Sequence, residues 1–255
     1  MSPAPFTKHY AEPERAVGAV RHYRWLTAHA KPLRQPALLT AGPQTLTFER
    51  IEGRPVRPED LPRVAELLGH AHGAAWASDL HSASLDTPHH FQDGTQFDDY
   101  LGPRKVALRR RHEQGYLPNK TALHAMLGLL QATAEGPCAF YKDSNPRNFI
   151  ITSTQDIVAV DTDDLSLAPM GYDLAKLVAT LHLTYGPLTD QAVTTALLAY
   201  NAAARRHDAR LGTTDRGQLD SFLGLHAVLT APYVGRNGYD YDYSPPLRFS
   251  HRGAS

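Results

Sequence analysis

The sequence predicts an α+β protein in two lobes, a small strand-containing N-terminal lobe at residues 1–53 and a mainly helical C-terminal lobe at residues 54–255. Three patterns lead there. Strand-like runs cluster before residue 52. Apolar residues recur at helical spacing after residue 54, and a single compact pair of β runs between 149 and 160 interrupts the helical part. A chain of 255 residues is long enough for two such lobes around a shared cleft.

Taken in order, residues 6–10 read as a short strand. A helix follows over about 14–29, because Ala19, Tyr23, Leu26 and Ala30 fall on one face. Pro32 and Pro36 end it. Residues 37–40 and 46–51 are strands around a turn at 41–44, and 53–55 reads as a linker. Leu61, Val64, Leu68, Ala71 and Ala75 make the next amphipathic helix. Residues 77–118 are polar and irregular, so loops and one or two short helices are expected, with Arg109, Arg110 and Arg111 as a solvated helix face and an anionic-substrate or phosphate contact as the alternative. Leu123, Leu127 and Leu130 mark a further helix. Residues 139–141 read as a strand before a polar loop, and 149–152 and 157–160 as a hairpin across the turn 153–156. Helices at 171–185, 190–210 and 216–234 and a loop at 237–246 complete the chain.

Lys+Arg and Asp+Glu both number 26, so the net charge is zero. This argues against binding nucleic acid by bulk charge, with a local basic patch as the alternative, and a charged disordered tail is excluded. The single cysteine, Cys138, allows neither an intrachain disulfide nor a cysteine-based zinc site. There is no apolar run long enough to span a membrane and no basic-then-apolar leader at residues 1–5, so a cytoplasmic protein without membrane or nucleic-acid partners is expected. The 14 histidines show no metal-ligand spacing. His89 and His90 read as loop residues, and His72 as a core histidine.

The informative stretch begins at Asp143. Asn148 follows five residues later, and Asp161 thirteen residues after that, beyond the hairpin that folds it back beside the loop. Singly these are ordinary turn residues. Together, an Asp–Asn–Asp set suits Mg²⁺, a hard cation that takes oxygen ligands and keeps several waters. One carboxylate is then left to accept a proton from a hydroxyl while the metal holds a polyphosphate.

This order, Asp143-x-x-x-x-Asn148 and then Asp161, resembles the catalytic core of the protein-kinase-like fold. Gly171-Tyr172-Asp173-Leu174-Ala175 resembles the aminoglycoside phosphotransferase and choline-kinase branch of that fold. The stretch from Leu67 to His72 is similar to the end of that branch's first large-lobe helix. The stretch from Thr47 to Gly53 is similar to its interlobe hinge. The resemblance spans roughly residues 6–185. It implies a phosphotransferase using ATP or GTP and Mg²⁺ on a hydroxyl of a small molecule, aminoglycoside-like or another secondary metabolite. It also implies residue roles. Asp143 would be the catalytic base or hydroxyl-orienting group, and Asn148 and Asp161 the metal ligands. Asp173 would be structural, Lys8 would grip the nucleotide phosphates, and Glu49, Arg50 and Ile51 would form the nucleotide-binding hinge.

Two departures bear on the nucleotide half. The branch has two strands and a phosphate-covering loop before its lysine strand, whereas Lys8 is the eighth residue here and no Gly-rich loop occurs, so the N-terminal lobe is expected to be truncated. The helix after the lysine should offer it a glutamate. Aligning on Trp25-Leu26 puts His22 there, with Glu12 and Glu14 nearer the helix start. A catalytically impaired, kinase-like binding protein is therefore the alternative reading. A protein kinase is disfavoured, because only nine residues separate Asp161 from Gly171, too few for an activation segment.

Smaller departures lie in the loop. Tyr141-Lys142-Asp143 replaces the usual His-Gly-Asp, and Asn145 stands where the branch often has His. Lys142 reads either as a neighbour of the transferred phosphoryl group or as a surface lysine. Asp163 and Asp164 read as a cap or solvated loop, with an extra metal ligand as the alternative. Asp98, Asp99, Tyr100 and the Tyr/Asp run at 239–243 would suit a cationic, hydroxyl-rich substrate if they line the cleft.

Overall fold

The structure, a computed structural model, describes residues 4–212 and 214–243. In chain order its first elements are β1 (Phe6–His9), α1 (Pro13–His29), β2 (Leu38–Ala41), β3 (Thr45–Phe48), β4 (Arg54–Pro55) and α2 (Leu61–Ser78). Next come β5 (His89–His90), β6 (Gln96–Phe97), α3 (Leu101–Glu113), α4 (Lys120–Ala132), β7 (Cys138–Tyr141), β8 (Phe149–Ile151), β9 (Ile157–Ala159) and β10 (Ser166–Pro169). Three helices follow, α5 (Tyr172–Tyr185), α6 (Asp190–Arg205) and α7 (Arg216–Thr230). Of the expected tail loop, residues 244–246 lie outside the described residues.

The first three strands form one antiparallel sheet in the order β1-β3-β2, with Lys8 opposite Leu46. Leu46 is fully buried on the inner face of this sheet. Helix α1 begins with Pro13 in its first turn, where a missing N–H is no loss. It buries Ala16, Ala19, Trp25 and Leu26.

The stretch 53–55 is not a free linker. β4 pairs antiparallel with β8, in a second sheet ordered β4-β8-β9. Two residues are too few to show any periodicity, and a proline is tolerated because β4 is an edge strand. Ser166–Pro169 was also invisible as a strand. It pairs antiparallel with β7, placing Leu167 against Phe140 in the core.

The region 77–118, expected to hold loops and one or two short helices, contains the 13-residue helix α3. Its inward stripe is Leu101, Arg104 and Leu108, so an arginine at a core position hid the period. Arg104 is accommodated because its guanidinium lies 4.6, 4.9 and 4.7 Å from the ring centroids of Tyr100, Tyr141 and Tyr172. It also donates to the Tyr100 carbonyl at 2.9 Å. Arg109 and Arg110 are exposed as expected, whereas Arg111 donates to the Leu229 carbonyl.

Helices α2 and α6 pack closely because Gly69 and Gly73 bring their backbones together. A Cβ at Gly69 would collide with the Tyr200 carbonyl. Helix α5 is buried on nearly every side, from Tyr172 through Leu181, which suits a helix apolar all round. Among the described residues no helix is long and apolar enough to cross a membrane.

Candidate functional site

The loop after β7 is held by helix α5. Asp173, in the first turn of α5, accepts the Ser144 N–H on Oδ1 at 2.8 Å and the Lys142 N–H on Oδ2 at 3.3 Å. Burial raises the Asp173 pKa, opposed by the charge of Lys142 and by these amides. Asp143, between the two pinned amides, has a φ of 57°, a left-handed conformation uncommon outside glycine. Its carbonyl accepts amide protons from Asn148 at 2.9 Å and Asn145 at 3.3 Å. Asn145 also accepts the Arg147 N–H, capping the short turn Pro146–Asn148.

The Asp143 carboxylate takes two donors on one oxygen. Oδ1 accepts the Tyr141 hydroxyl at 2.8 Å and lies 3.1 Å from the Lys176 ammonium. Burial works to raise the Asp143 pKa, but the Lys176 charge, the Tyr141 hydroxyl and Lys142 outweigh it and hold the carboxyl below its ordinary value. Lys176 is itself held above the usual lysine value, the Asp143 carboxylate overcoming the effect of burial. Lys142 follows neither of its expected readings. It is buried, with its ammonium 4.2 Å from the centroid of the Phe149 ring.

Asn148 joins the loop to the hairpin, since its carbonyl accepts the Val160 N–H at 2.9 Å. The next residue, Asp161, also has a left-handed φ, 58°. Its Oδ1 lies 2.5 Å from the Lys8 ammonium, and Asp163 Oδ2 lies 2.6 Å from the same nitrogen. Burial pulls the Lys8 pKa down, but the two carboxylates outweigh it and raise it. Asp163 is therefore neither a cap nor merely solvated. It also accepts the Tyr10 hydroxyl at 3.0 Å.

A cavity of about 680 Å³ lies between the first sheet and the second. Lys8, Asn148, Asp161 and Asp163 line it, as do Glu49, Arg50 and Ile51, the residues expected to form a hinge. Much of the wall is apolar and aromatic, with Phe6, Ala19, Tyr23, Phe48, Ile150 and Val160. The Glu49 side chain is engaged elsewhere, accepting the Ala37 N–H at 3.2 Å. Asp143 does not line the cavity and is linked to it through Asn148.

The cation-ligand candidates are oxygen donors. Asn148 commits its amide nitrogen to Asp143, which leaves its Oδ1 as an acceptor, and Asp161 and Asp163 line the same cavity. Among the described residues no three His, Cys, Asp or Glu side chains form a ready cage. An amide and one or two carboxylates, completed by water and phosphate oxygens, is the donor set that fits Mg²⁺.

A protein-family model described as "Phosphotransferase enzyme family" matches residues 6–211. The chain belongs to this family. Solved structures place this phosphotransferase-family protein in the protein-kinase-like fold. A choline kinase from Streptococcus pneumoniae is 13% identical, with a TM-score of 0.56, covering 89% of this chain and 75% of that one. An aminoglycoside phosphotransferase from Alicyclobacillus acidocaldarius is 14% identical, with a TM-score of 0.55, covering 94% and 78%. Another from Streptomyces rimosus, in complex with ADP and streptomycin, is 20% identical, with a TM-score of 0.52, covering 89% and 87%. No curated protein matches the sequence.

One residue of this phosphotransferase-family site, Lys176, is not singled out by the sequence, and the partners of two others, Asp163 and His22, are not evident from it. Lys176 lies three residues after Asp173, a spacing that puts both on one helix face toward the same loop, so a signal was present. Asp163 is two residues beyond Asp161, but nothing local points it at Lys8. His22 reaches the backbone just after the cavity's acidic turn, at Leu165, and the Gln96 carbonyl, as described below. Outside the site, Asp99 accepts the Gly102 N–H at the start of α3, and Asp98 pairs by backbone with Ser166. Tyr239 is buried beneath Arg147, whose guanidinium lies 4.9 Å from the ring centroid, and Arg147 donates to the Asn237 carbonyl. His72 is a buried core histidine, its Nδ1 2.8 Å from the Tyr200 hydroxyl.

Proposed function

We propose that this protein is a cytoplasmic phosphotransferase that moves the terminal phosphoryl group of ATP or GTP, with Mg²⁺, to a hydroxyl of a small molecule. The observation that carries this reading is the convergence at one cavity of a lysine, an Asn–Asp oxygen pair and a hinge, with a doubly held aspartate behind the asparagine. The apolar wall suits a purine ring between Tyr23, Ile150 and Val160, with the backbone of 49–51 beside its edge. Lys8 is a compact, flexible cation of the kind that grips phosphate oxygens.

Asn148 and Asp161 would hold the metal, which when bound supplies positive charge to the phosphate oxygens. Asp143 uses Oδ1 for Tyr141 and Lys176, so Oδ2 remains to accept a hydrogen bond from the acceptor hydroxyl. Its lowered basicity makes it chiefly an orienting group that takes the proton late in transfer. Catalysis then rests on positioning and electrostatics, as phosphoryl transfer allows. The acceptor is a hydroxylated small molecule such as an aminoglycoside-like metabolite. A catalytically impaired, nucleotide-binding relative is the second reading. It is favoured by one observation, that both aspartates lining the cavity, Asp161 and Asp163, are engaged by Lys8.

The test is equilibrium binding of ATP and GTP with and without Mg²⁺, comparing the wild type with Asp161→Ala. Mg²⁺-dependent binding that is lost in the variant is expected. No binding by the wild type would sink both readings. Nucleotide consumption is then screened over hydroxylated metabolites. Turnover abolished in Asp143→Ala is the result expected of the enzyme, and binding without turnover on any acceptor favours the second reading.

A further inference from the structure

Helix α1 presents no carboxylate to Lys8. Glu12 and Glu14 are exposed at its start, and the position nearer the cavity is His22. The ammonium is instead shared between the two carboxylates of the turn after β9, Asp161 at 2.5 Å and Asp163 at 2.6 Å. The two are not equivalent. The Asp161 side chain is 56% exposed and the Asp163 side chain 20%, and only Asp163 has a second donor, the Tyr10 hydroxyl.

The turn itself is tied to α1. His22 Nε2 lies 3.1 Å from the Gln96 carbonyl, so that nitrogen donates. With Nε2 as the donor, Nδ1 of the neutral ring is the acceptor and takes the Leu165 N–H at 3.2 Å, with the Asp163 carbonyl 2.9 Å away, so the ring sits against the backbone of 163–165. Thr162 donates to Gln35 Oε1 at 2.5 Å, and Gln35 in turn donates to the Tyr23 carbonyl of α1 at 3.1 Å, an indirect tie to the same helix.

We propose that Asp163 is the standing partner of Lys8, in place of a helix carboxylate, and that His22 is the positioning residue that holds the Asp161–Asp163 turn against α1. The inference rests on the nucleotide and metal reading above and deepens it. A cation bound at Asn148 and Asp161 competes with Lys8 for the Asp161 carboxylate. Asp163 then keeps the ammonium over the cavity, with protons left for phosphate oxygens. Removing Asp163 commits Lys8 wholly to Asp161, and the cation must break a tighter pair. Removing Lys8 frees Asp161.

These consequences run in opposite directions, which a merely structural role would not produce. ATP binding by the full chain is measured across a Mg²⁺ titration. Asp163→Asn is expected to raise the half-saturating Mg²⁺ about fivefold, the scale of one partly exposed ion pair. Lys8→Met should lower it while weakening ATP binding. His22→Phe should shift it in the direction of Asp163→Asn, and His22→Gln, which keeps a donor and an acceptor, should restore it. An unchanged midpoint in Asp163→Asn, or a shift in the same direction as Lys8→Met, overturns the proposal.

A second measurement needs neither nucleotide nor metal. Urea unfolding of the wild type, Lys8→Met, Asp163→Asn and the double variant should show the two substitutions coupled, with the double effect about threefold smaller than the product of the single effects. Independent effects overturn the pair. If the wild type binds no nucleotide, the phosphotransferase reading fails, and this cycle still decides whether Lys8 and Asp163 are partners.

Discussion

Acidification from pH 8 to pH 5 is expected to remove about 2 kcal/mol of stability through one residue, His72. Its ring is fully buried on α2, with Nδ1 2.8 Å from the Tyr200 hydroxyl. That hydroxyl accepts the Gly171 N–H at 2.9 Å, and its own proton goes to Nδ1, a stronger acceptor than the Met170 sulfur at 3.6 Å. Burial first, and then the charge of Lys142, lower the His72 pKa from 6.5 to about 3. The sign follows from linkage. With the folded pKa below the unfolded one, the unfolded chain takes up a proton that the folded chain refuses. The stabilisation is complete above pH 6.5 and is lost as the pH falls from there toward 3. At pH 5 the unfolded state has gained about 1.5 pH units of protonation, and at 1.36 kcal/mol per unit this is roughly 2 kcal/mol. Urea unfolding at pH 8 and pH 5 measures it for the wild type and for His72→Gln, which keeps an acceptor for Tyr200. Subtracting one pH dependence from the other removes the contribution of His226, another buried histidine whose pKa burial lowers. Equal losses in the two proteins would refute the reasoning. The ring would then be charged in the folded state, with Asp173 Oδ2, 4.0 Å from Nε2, as its counterion.

Other expectations concern the loop and the packing behind it. Lys176→Met should raise the Asp143 pKa, because the ammonium that lowers it is gone. The acid limb of the pH–rate profile then moves to higher pH, and an unmoved limb would count against the Lys176–Asp143 pair. Asp173→Ala leaves the buried Lys142 and Ser144 amides without an acceptor and should cost about 2–4 kcal/mol by chemical denaturation. Gly69→Ala forces a methyl group against the Tyr200 carbonyl and should cost about 1–3 kcal/mol in thermal or urea unfolding, with little effect on nucleotide affinity.

Much of the fold was legible because its signals are local. The period of Leu61, Val64, Leu68, Ala71 and Ala75 describes a helix that depends on residues three and four apart, and α2 follows it. The 149–160 hairpin was legible from two β runs and a turn, and β8 and β9 form it. Helix α3 was legible only as a short helix carrying Arg109–Arg111, because Arg104 occupies a core position made tolerable by the Tyr100 ring one turn back and the distant rings of Tyr141 and Tyr172. Ser166–Pro169 was not, because a four-residue strand is recognised only through its partner, β7.

The candidate site divides in the same way. The order of Asp143, Asn148 and Asp161, the short hairpin between them and the helix start at Gly171 are properties of the chain as written. They determined which residues stand on one loop and one turn, because each spacing is short enough for local geometry to govern. Which cation faces which carboxylate was decided only by the tertiary structure. Lys8 meets Asp161 across 153 residues, and Lys176 meets Asp143 from another element. An ion pair between distant segments imposes no period on either one, since it forms only after the sheets and helices have brought the two charges together.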